Sequence, residues 1–124
     1  MDLVEWLREQ IDHDARVAAA AAPGTWEQYG EAIAAQVPGR YGSTISIYDE
    51  GGHTAADAEH IVLWQPSRVL DEMDTKRRLL DLLGSYAEFL EDGPPTWPMD
   101  ALRILAHPYR ERPGFREEWA IPAT

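Results

Sequence analysis

The sequence predicts an α+β fold in which three main helices pack on a small antiparallel sheet of two to three strands. Residues 57–90 contain a long amphipathic helix, and residues 3–21 contain a second one. Residues 24–52 are instead punctuated by glycine and proline and include short segments with the period-two alternation of strands. Because two or three strands are not stable alone in water, the apolar helix faces must cover them.

The first helix begins with a capping box. Asp2 caps it, and Glu5 follows three residues later, which places two carboxylates at the positive end of the helix dipole. The apolar side of this helix is predicted to comprise Leu3, Val4, Trp6, Leu7, Ile11, Val17 and Ala18.

The middle of the chain supplies the predicted strands, at residues 25–29 and 43–48. In the second, Ile45 and Ile47 alternate with polar residues. The alanines of residues 31–37 favour a short helix, although Val-Pro-Gly at the end is equally typical of a strand exit. We favour the helix. Residues 49–52 form a predicted turn.

The long central helix starts at Pro66, because a proline at the first helical position loses no intrahelical hydrogen bond. Its predicted core stripe comprises Val69, Leu70, Met73, Leu80, Leu83 and Ala87. Gly84 costs about 1 kcal/mol relative to alanine inside the pattern, so a bend is expected there.

A final helix is predicted over residues 97–106, capped by Thr96 and stopped by Pro108. We expect the aromatic tail that follows to dock back on the domain through Phe115 and Trp119. Burial of a large aromatic side chain stabilises by roughly 1.5–3 kcal/mol, which is enough to hold a short segment.

Composition limits the class of protein. A chain of 124 residues is the size of one globular domain, and we expect residues 1–124 to form one. The net charge of −11 disfavours nucleic acid as a partner. No cysteine is present, and no run approaches the ~20 apolar residues of a membrane span. We therefore expect a cytoplasmic protein without a membrane partner.

One cluster is compatible with a metal ion. His53, Asp57 and His60 have spacings of four and three residues, which lie on one face if the segment is helical. Imidazole and carboxylate are ligands for zinc, iron or manganese. The alternative is that Thr54 caps a helical turn and that His60 packs or caps nearby. We favour this alternative, and we expect neither a cofactor nor catalytic residues.

Asp14 is the polar exception on the apolar side of the first helix, and it has no basic residue three or four positions away. An unpaired buried carboxylate costs several kcal/mol, so either the site is wet or a cation reaches it. Lys76 and Arg77 flank the apolar stripe of the central helix. We predict a structural ion pair between Asp14 and one of them; the alternatives are a solvent-exposed Asp14 and a catalytic carboxylate.

Two blocks carry a resemblance: D-A-E-H-I-V-L-W-Q-P-S-R-V-L-D-E-M-D-T-K-R-R-L-L at 57–80 and L-A-H-P-Y-R-E-R-P-G-F-R-E-E-W at 105–119. They resemble the signature blocks of a family of short acidic proteins of unknown function from actinobacteria and their phages. Family members usually have R-H-D before the proline, whereas Leu63, Trp64 and Gln65 stand here. The resemblance implies a common fold and an accessory or phage setting, and it supplies no activity.

Three classes of function remain from the sequence: a binding module, an enzyme, and an acidic mimic of nucleic acid, which would need carboxylates spaced like phosphates. A binding module needs only a stable acidic domain with an aromatic or charged surface, and composition provides this. An enzyme needs a nucleophile, an acid–base pair or a bound metal. The candidate side chains are His53, Asp57, His60 and His107, but no spacing ties them into a catalytic triad, so the alternative is a metal-dependent enzyme that uses His53, Asp57 and His60. We favour a protein-interaction or accessory module whose partner is another protein. The sequence does not predict the oligomeric state.

Overall fold

The computed structural model describes residues 1–21, 24–36, 44–48, 55–89 and 97–121. The elements in chain order are α1 (Leu3–Ala20), β1 (Trp26–Tyr29), β2 (Ala32–Gln36), β3 (Thr44–Tyr48), α2 (Ala55–Leu63), α3 (Pro66–Phe89) and α4 (Trp97–Ala106), followed by 3₁₀ turns at His107–Tyr109 and Glu117–Trp119. These helices and strands confirm the α+β class. None of the described helices is long and apolar enough to cross a membrane.

The chain divides into two compact units. One comprises Met1–His13 and Asp74–Thr124, and the other comprises Asp14–Met73. The second unit contains the whole sheet, and the first contains α4 and the C-terminal aromatic segment. Both boundaries fall inside helices, one in α1 and one in α3. The expectation of a single domain stays a prediction.

The sheet is an antiparallel meander with the order β1-β2-β3. Strands β1 and β2 are joined by the two residues Gly30 and Glu31, with Tyr29 paired to Ala32. Gly30 has φ +63° and Glu31 has a negative φ. This combination matches a type II′ hairpin turn, whose twist suits the flanking strands and which needs glycine at its first central position.

The helix predicted at residues 31–37 is wrong, because the structure has β2 at Ala32–Gln36. Ile33 and Ala35 are buried while Ala32 and Ala34 are half-buried, so the side chains alternate as they do in a strand. The two predicted strands exist as β1 and β3, but each pairs with β2 and not with the other. Hydrogen bonding on both edges stabilises β2 by more than the helix preference of its alanines.

Gln65 links the sheet to the start of α3. Its Oε1 accepts a hydrogen bond from the Trp26 backbone N–H at 2.9 Å, and its Nε2 donates to the Trp26 carbonyl at 3.3 Å and to the Val62 carbonyl at 3.1 Å. Its own carbonyl accepts the Val69 N–H, which is the first hydrogen bond of α3. Trp26 lies on β1, an edge strand, so the side-chain amide of Gln65 satisfies backbone groups of that edge.

The capping box at the start of α1 is confirmed. The Glu5 N–H donates to Asp2 at 2.8 Å, and the Asp2 N–H donates to Glu5 at 3.1 Å. The buried side of α1 consists of Leu3, Trp6, Leu7, Ile11, Ala15 and Ala18. Val17, which we predicted to be on this side, is 60% exposed.

The central helix is confirmed as α3, which starts at Pro66 and continues through Gly84. Met73, Leu80 and Leu83 are buried as predicted, whereas Leu70 is 38% exposed. The side chain of Ala87 lies outside the described part of the chain. Gly84 lies beside Val4, and a Cβ at this position would be 3.6 Å from the nearest methyl group of Val4.

The C-terminal segment docks back on the protein, as predicted, and the residue on which it packs is Trp6. The rings of Phe115 and Trp119 each lie 5.5 Å from the ring of Trp6, measured between centroids, and Trp119 is buried. The indole N–H of Trp6 donates to the Pro113 carbonyl at 3.1 Å. Three aromatic rings and a hydrogen bond therefore hold this segment in the first unit.

Candidate interaction surface

Helices α3 and α4 form an antiparallel hairpin in the first unit. Near the end of α3, the Tyr86 ring lies 5.5 Å from that of Trp97, the first residue of α4. Three turns earlier on α3, the Lys76 ammonium donates to the hydroxyl of Tyr109, just beyond α4, at 2.9 Å. Tyr109 is buried, and Lys76 and Arg112 also lie over its ring. Contacts at both ends fix the two helices side by side.

This hairpin carries a row of exposed apolar side chains, which we call the apolar surface. It consists of Leu79 (43% exposed), Leu82 (56%), Tyr86 (47%), Trp97 (50%) and Ile104 (62%). The three residues on α3 are spaced by three and four positions, and the two on α4 by seven, so each set lies on one helix face. The contact between Tyr86 and Trp97 joins the two faces.

The described charged side chains of the hairpin, apart from Lys76, form ion pairs within the first unit. Their ion pairs are Arg78 with Asp74 at 3.1 Å, Arg103 with Asp100 at 3.6 Å, Arg8 with Asp81 at 2.7 Å and Arg77 with Asp12 at 3.0 Å. These pairs are largely solvent-exposed, so each contributes little to stability. Their effect is to neutralise the surroundings of the apolar surface.

The sequence patterns described above do not predict this surface. The signal was present, because Leu79 and Leu82 fall off the core stripe of α3 and Trp97 stands at the first position of α4. Periodicity identifies the side of a helix that is buried, but single exposed apolar residues are common on protein surfaces. The tertiary contact between Tyr86 and Trp97 is what brings the two helix faces together.

The metal-site prediction falls partly outside the described residues, because His53 does. Asp57 and His60 are both on α2, three positions apart, and both are exposed. Within the described ranges, no group of three or more histidine, aspartate or glutamate side chains could hold a metal ion. A metal-dependent enzyme at His53, Asp57 and His60 therefore gains no support.

The predicted ion pair of Asp14 with Lys76 or Arg77 stays a prediction. Arg77 does bind a carboxylate of α1, but that carboxylate is Asp12, with the Arg77 Nε 3.0 Å from its Oδ1. Lys76 binds Tyr109. Asp14 is half-buried and makes interactions of its own.

A cavity of about 450 Å³ opens beside the start of α1. It is lined by Asp2, Leu3, Val4, Glu5, Arg8, Gly84 and Met99. Its volume lies in the range of small-molecule pockets. Its charged groups are engaged within the protein, however, since Asp2 and Glu5 cap α1 and Arg8 binds Asp81. The apolar surface is therefore the stronger candidate for function.

Comparison with known proteins places the chain in a family without assigning a function. The model of DUF6221, a family of unknown function, matches residues 1–121. No curated protein and no solved structure matches the chain. The expected relationship to an uncharacterised family is confirmed, while the actinobacterial and phage setting stays a prediction. Since the match spans nearly the whole length, the chain belongs to DUF6221.

Proposed function

We propose that this chain is a protein-interaction module, an accessory protein without catalytic activity, which binds another protein through the apolar surface of α3 and α4. The observation that carries this proposal is the set of five apolar side chains, each 43–62% exposed, gathered on one helical hairpin. Single exposed apolar residues need no explanation, but contiguous groups of them mark interaction sites.

The composition of the surface supports the same role. Tyr86 and Trp97 lie at the junction of the two helices with their rings in contact. Tyrosine and tryptophan are enriched among the residues that dominate binding energy in protein interfaces, because they bury a large area with few rotatable bonds.

The rigidity of the hairpin also favours binding. The contacts of Tyr86 with Trp97 and of Lys76 with Tyr109 hold the two helices at both ends. A partner that docks on a preformed surface does not have to order it, so less binding free energy is lost to conformational entropy.

Substitution of Leu82 by glutamate tests the proposal. Leu82→Glu places a charge in the middle of the surface, and we expect at least a tenfold loss of affinity for the physiological partner. The partner would be captured by photo-crosslinking from a probe at position 85 in cells that encode the protein.

Val17→Glu is the matched control, because Val17 is a helical apolar residue of similar exposure that lies outside the surface. Far-UV circular dichroism would establish that both variants are folded. The proposal predicts that the crosslinked product persists in Val17→Glu and disappears in Leu82→Glu. Equal crosslinking in both variants would contradict it.

A further inference from the structure

We infer that the partner of the apolar surface is a second copy of this chain, with two α3–α4 hairpins packed face to face across a two-fold axis. This inference rests on the proposed function and names its partner. It follows from the charge distribution, the exposed area and the helix geometry of the first unit.

The charge distribution singles out the hairpin as the face through which two copies can meet. Within the first unit the two helices, α3 from residue 74 to residue 89 and α4, have a net charge of zero. They carry four basic side chains, Lys76, Arg77, Arg78 and Arg103, and four acidic ones, Asp74, Asp81, Glu88 and Asp100. Since the whole chain has a net charge of −11, the rest of the chain carries all of that charge. Two strongly acidic molecules repel each other, and they approach at least cost through faces that are close to neutral.

The ion pairs within each chain also reduce the repulsion between the charged side chains of two hairpins. The carboxylates of Asp74, Asp81 and Asp100 each lie within 3.6 Å of an arginine nitrogen in the same chain. A strongly basic or strongly acidic partner would have to compete with these ion pairs. A second copy brings the same balanced set, so like charges are not left facing each other without compensation.

The exposed area is sufficient for a weak dimer. Each of the five side chains is about half exposed. With large side chains of roughly 150–250 Å², five half-exposed residues on each of two copies supply on the order of 1,000 Å² of apolar area. This is below the roughly 1,200–2,000 Å² that stable, specific interfaces bury and is the size of a weak interface, so we expect an equilibrium that depends on protein concentration.

The helix geometry permits the arrangement. Leu79, Leu82 and Tyr86 follow the spacing of three and four residues that forms the seam between packed helices. Two antiparallel hairpins that pair through such seams form a four-helix bundle, and a two-fold axis lets one self-complementary patch serve both copies.

Sedimentation velocity over a concentration series, from low micromolar to near millimolar, is the primary test. We expect the weight-average mass of the unmodified protein to rise towards that of a dimer. Leu82→Glu and, independently, Ile104→Glu should remain monomeric, whereas Val17→Glu should dimerise like the unmodified protein. Two separate variants guard against misfolding of either one, which circular dichroism would reveal.

Two further measurements identify the face and the forces. Since the chain lacks cysteine, Ser85→Cys allows a single spin label beside the surface. We expect a defined distance between the two labels in the dimer, and we expect that distance to be lost when Leu82→Glu is added.

Raising the ionic strength should leave the dimer intact or strengthen it, because salt screens the repulsion between two acidic chains and does not weaken apolar contacts.

The outcomes separate this inference from the proposed function. The protein could stay monomeric at every concentration while it crosslinks to a different protein and loses that crosslink in Leu82→Glu. This result would contradict the inferred dimer, and it would support the proposed interaction module. A dimer that survives both glutamate substitutions overturns the inferred face. A monomer with no crosslink that depends on Leu82 overturns both proposals.

Discussion

At the scale of single residues, Gly114 is constrained by Trp6 more tightly than its place in a turn suggests. Its φ is +90°, a region that residues with a side chain rarely adopt, and a Cβ at this position would lie 2.7 Å from the indole nitrogen of Trp6. That nitrogen donates to the Pro113 carbonyl at 3.1 Å. A side chain at Gly114 would therefore strain the backbone and displace the ring on which Phe115 and Trp119 pack.

Gly114→Ala should therefore lower the free energy of unfolding more than a glycine-to-alanine substitution that only strains the backbone. Gly30→Ala is the control, because Gly30 also has a positive φ, +63°, but its Cβ would meet nothing within 4 Å. We expect a loss of about 1–2 kcal/mol for Gly30→Ala from the conformation alone. For Gly114→Ala we expect roughly 1–3 kcal/mol more, from the displaced ring.

Urea unfolding followed by tryptophan fluorescence would measure both free energies. Near-UV circular dichroism of the Gly114→Ala variant should also change, because the packing of Trp6 and Trp119 changes. If the two substitutions lower the free energy of unfolding equally, the contact with Trp6 contributes nothing to the loss in Gly114→Ala.

At the scale of elements, the junction between β1 and α3 depends on one side chain. Besides its three bonds to backbone groups, the Gln65 amide accepts a hydrogen bond from the Ser67 hydroxyl at 3.2 Å. Both the oxygen and the nitrogen of the amide are used, and no apolar side chain of similar size could replace either. The amide thus fixes the position of the edge strand β1 relative to the start of α3.

Gln65→Met should lower the free energy of unfolding by about 1–2 kcal/mol, because it removes the partners of backbone groups in a half-buried site. Amide hydrogen exchange gives the more specific measurement, since the Trp26 N–H should exchange faster once its acceptor is gone. Gln10→Met is a suitable control, because the only hydrogen bond that the described structure gives the Gln10 side chain is a long one of 3.4 Å to the Trp6 carbonyl. Unchanged exchange at Trp26 would contradict the proposed link.

At the scale of the whole molecule, the division into two units bears on how the chain unfolds. The boundaries lie between His13 and Asp14, inside α1, and between Met73 and Asp74, inside α3. A helix is cooperative along its length, so a unit that unfolds destabilises the helical turns it shares with the next. We therefore expect the two continuous helices to make the unfolding of one unit depend on that of the other, even though each unit has its own buried residues.

We predict from this a single thermal transition, in agreement with the expected single domain of residues 1–124. Differential scanning calorimetry should give equal calorimetric and van't Hoff enthalpies. Circular dichroism of the helices and fluorescence of the tryptophans should report the same midpoint. Two resolved transitions, or a calorimetric enthalpy well above the van't Hoff value, would show that the units unfold independently.

Several features of this protein were determined by the sequence alone, because their causes are local. The Asp2 and Glu5 capping box, Pro66 at the start of α3 and the amphipathic repeats act within a few residues of the chain, so the positions of α1, α3 and α4 could be predicted. The docking of Phe115 and Trp119 was also predictable, since large aromatic side chains rarely remain in water.

Other features were decided only by the tertiary structure, because they depend on residues distant in sequence. The alanines of Ala32–Gln36 adopt a strand since β1 and β3 bind both edges, which outweighs their helix propensity. The choice of Asp12 as the partner of Arg77 depends on where α1 meets α3 in the first unit. The apolar surface likewise exists only because Tyr86 and Trp97 meet, which no periodicity within either helix specifies.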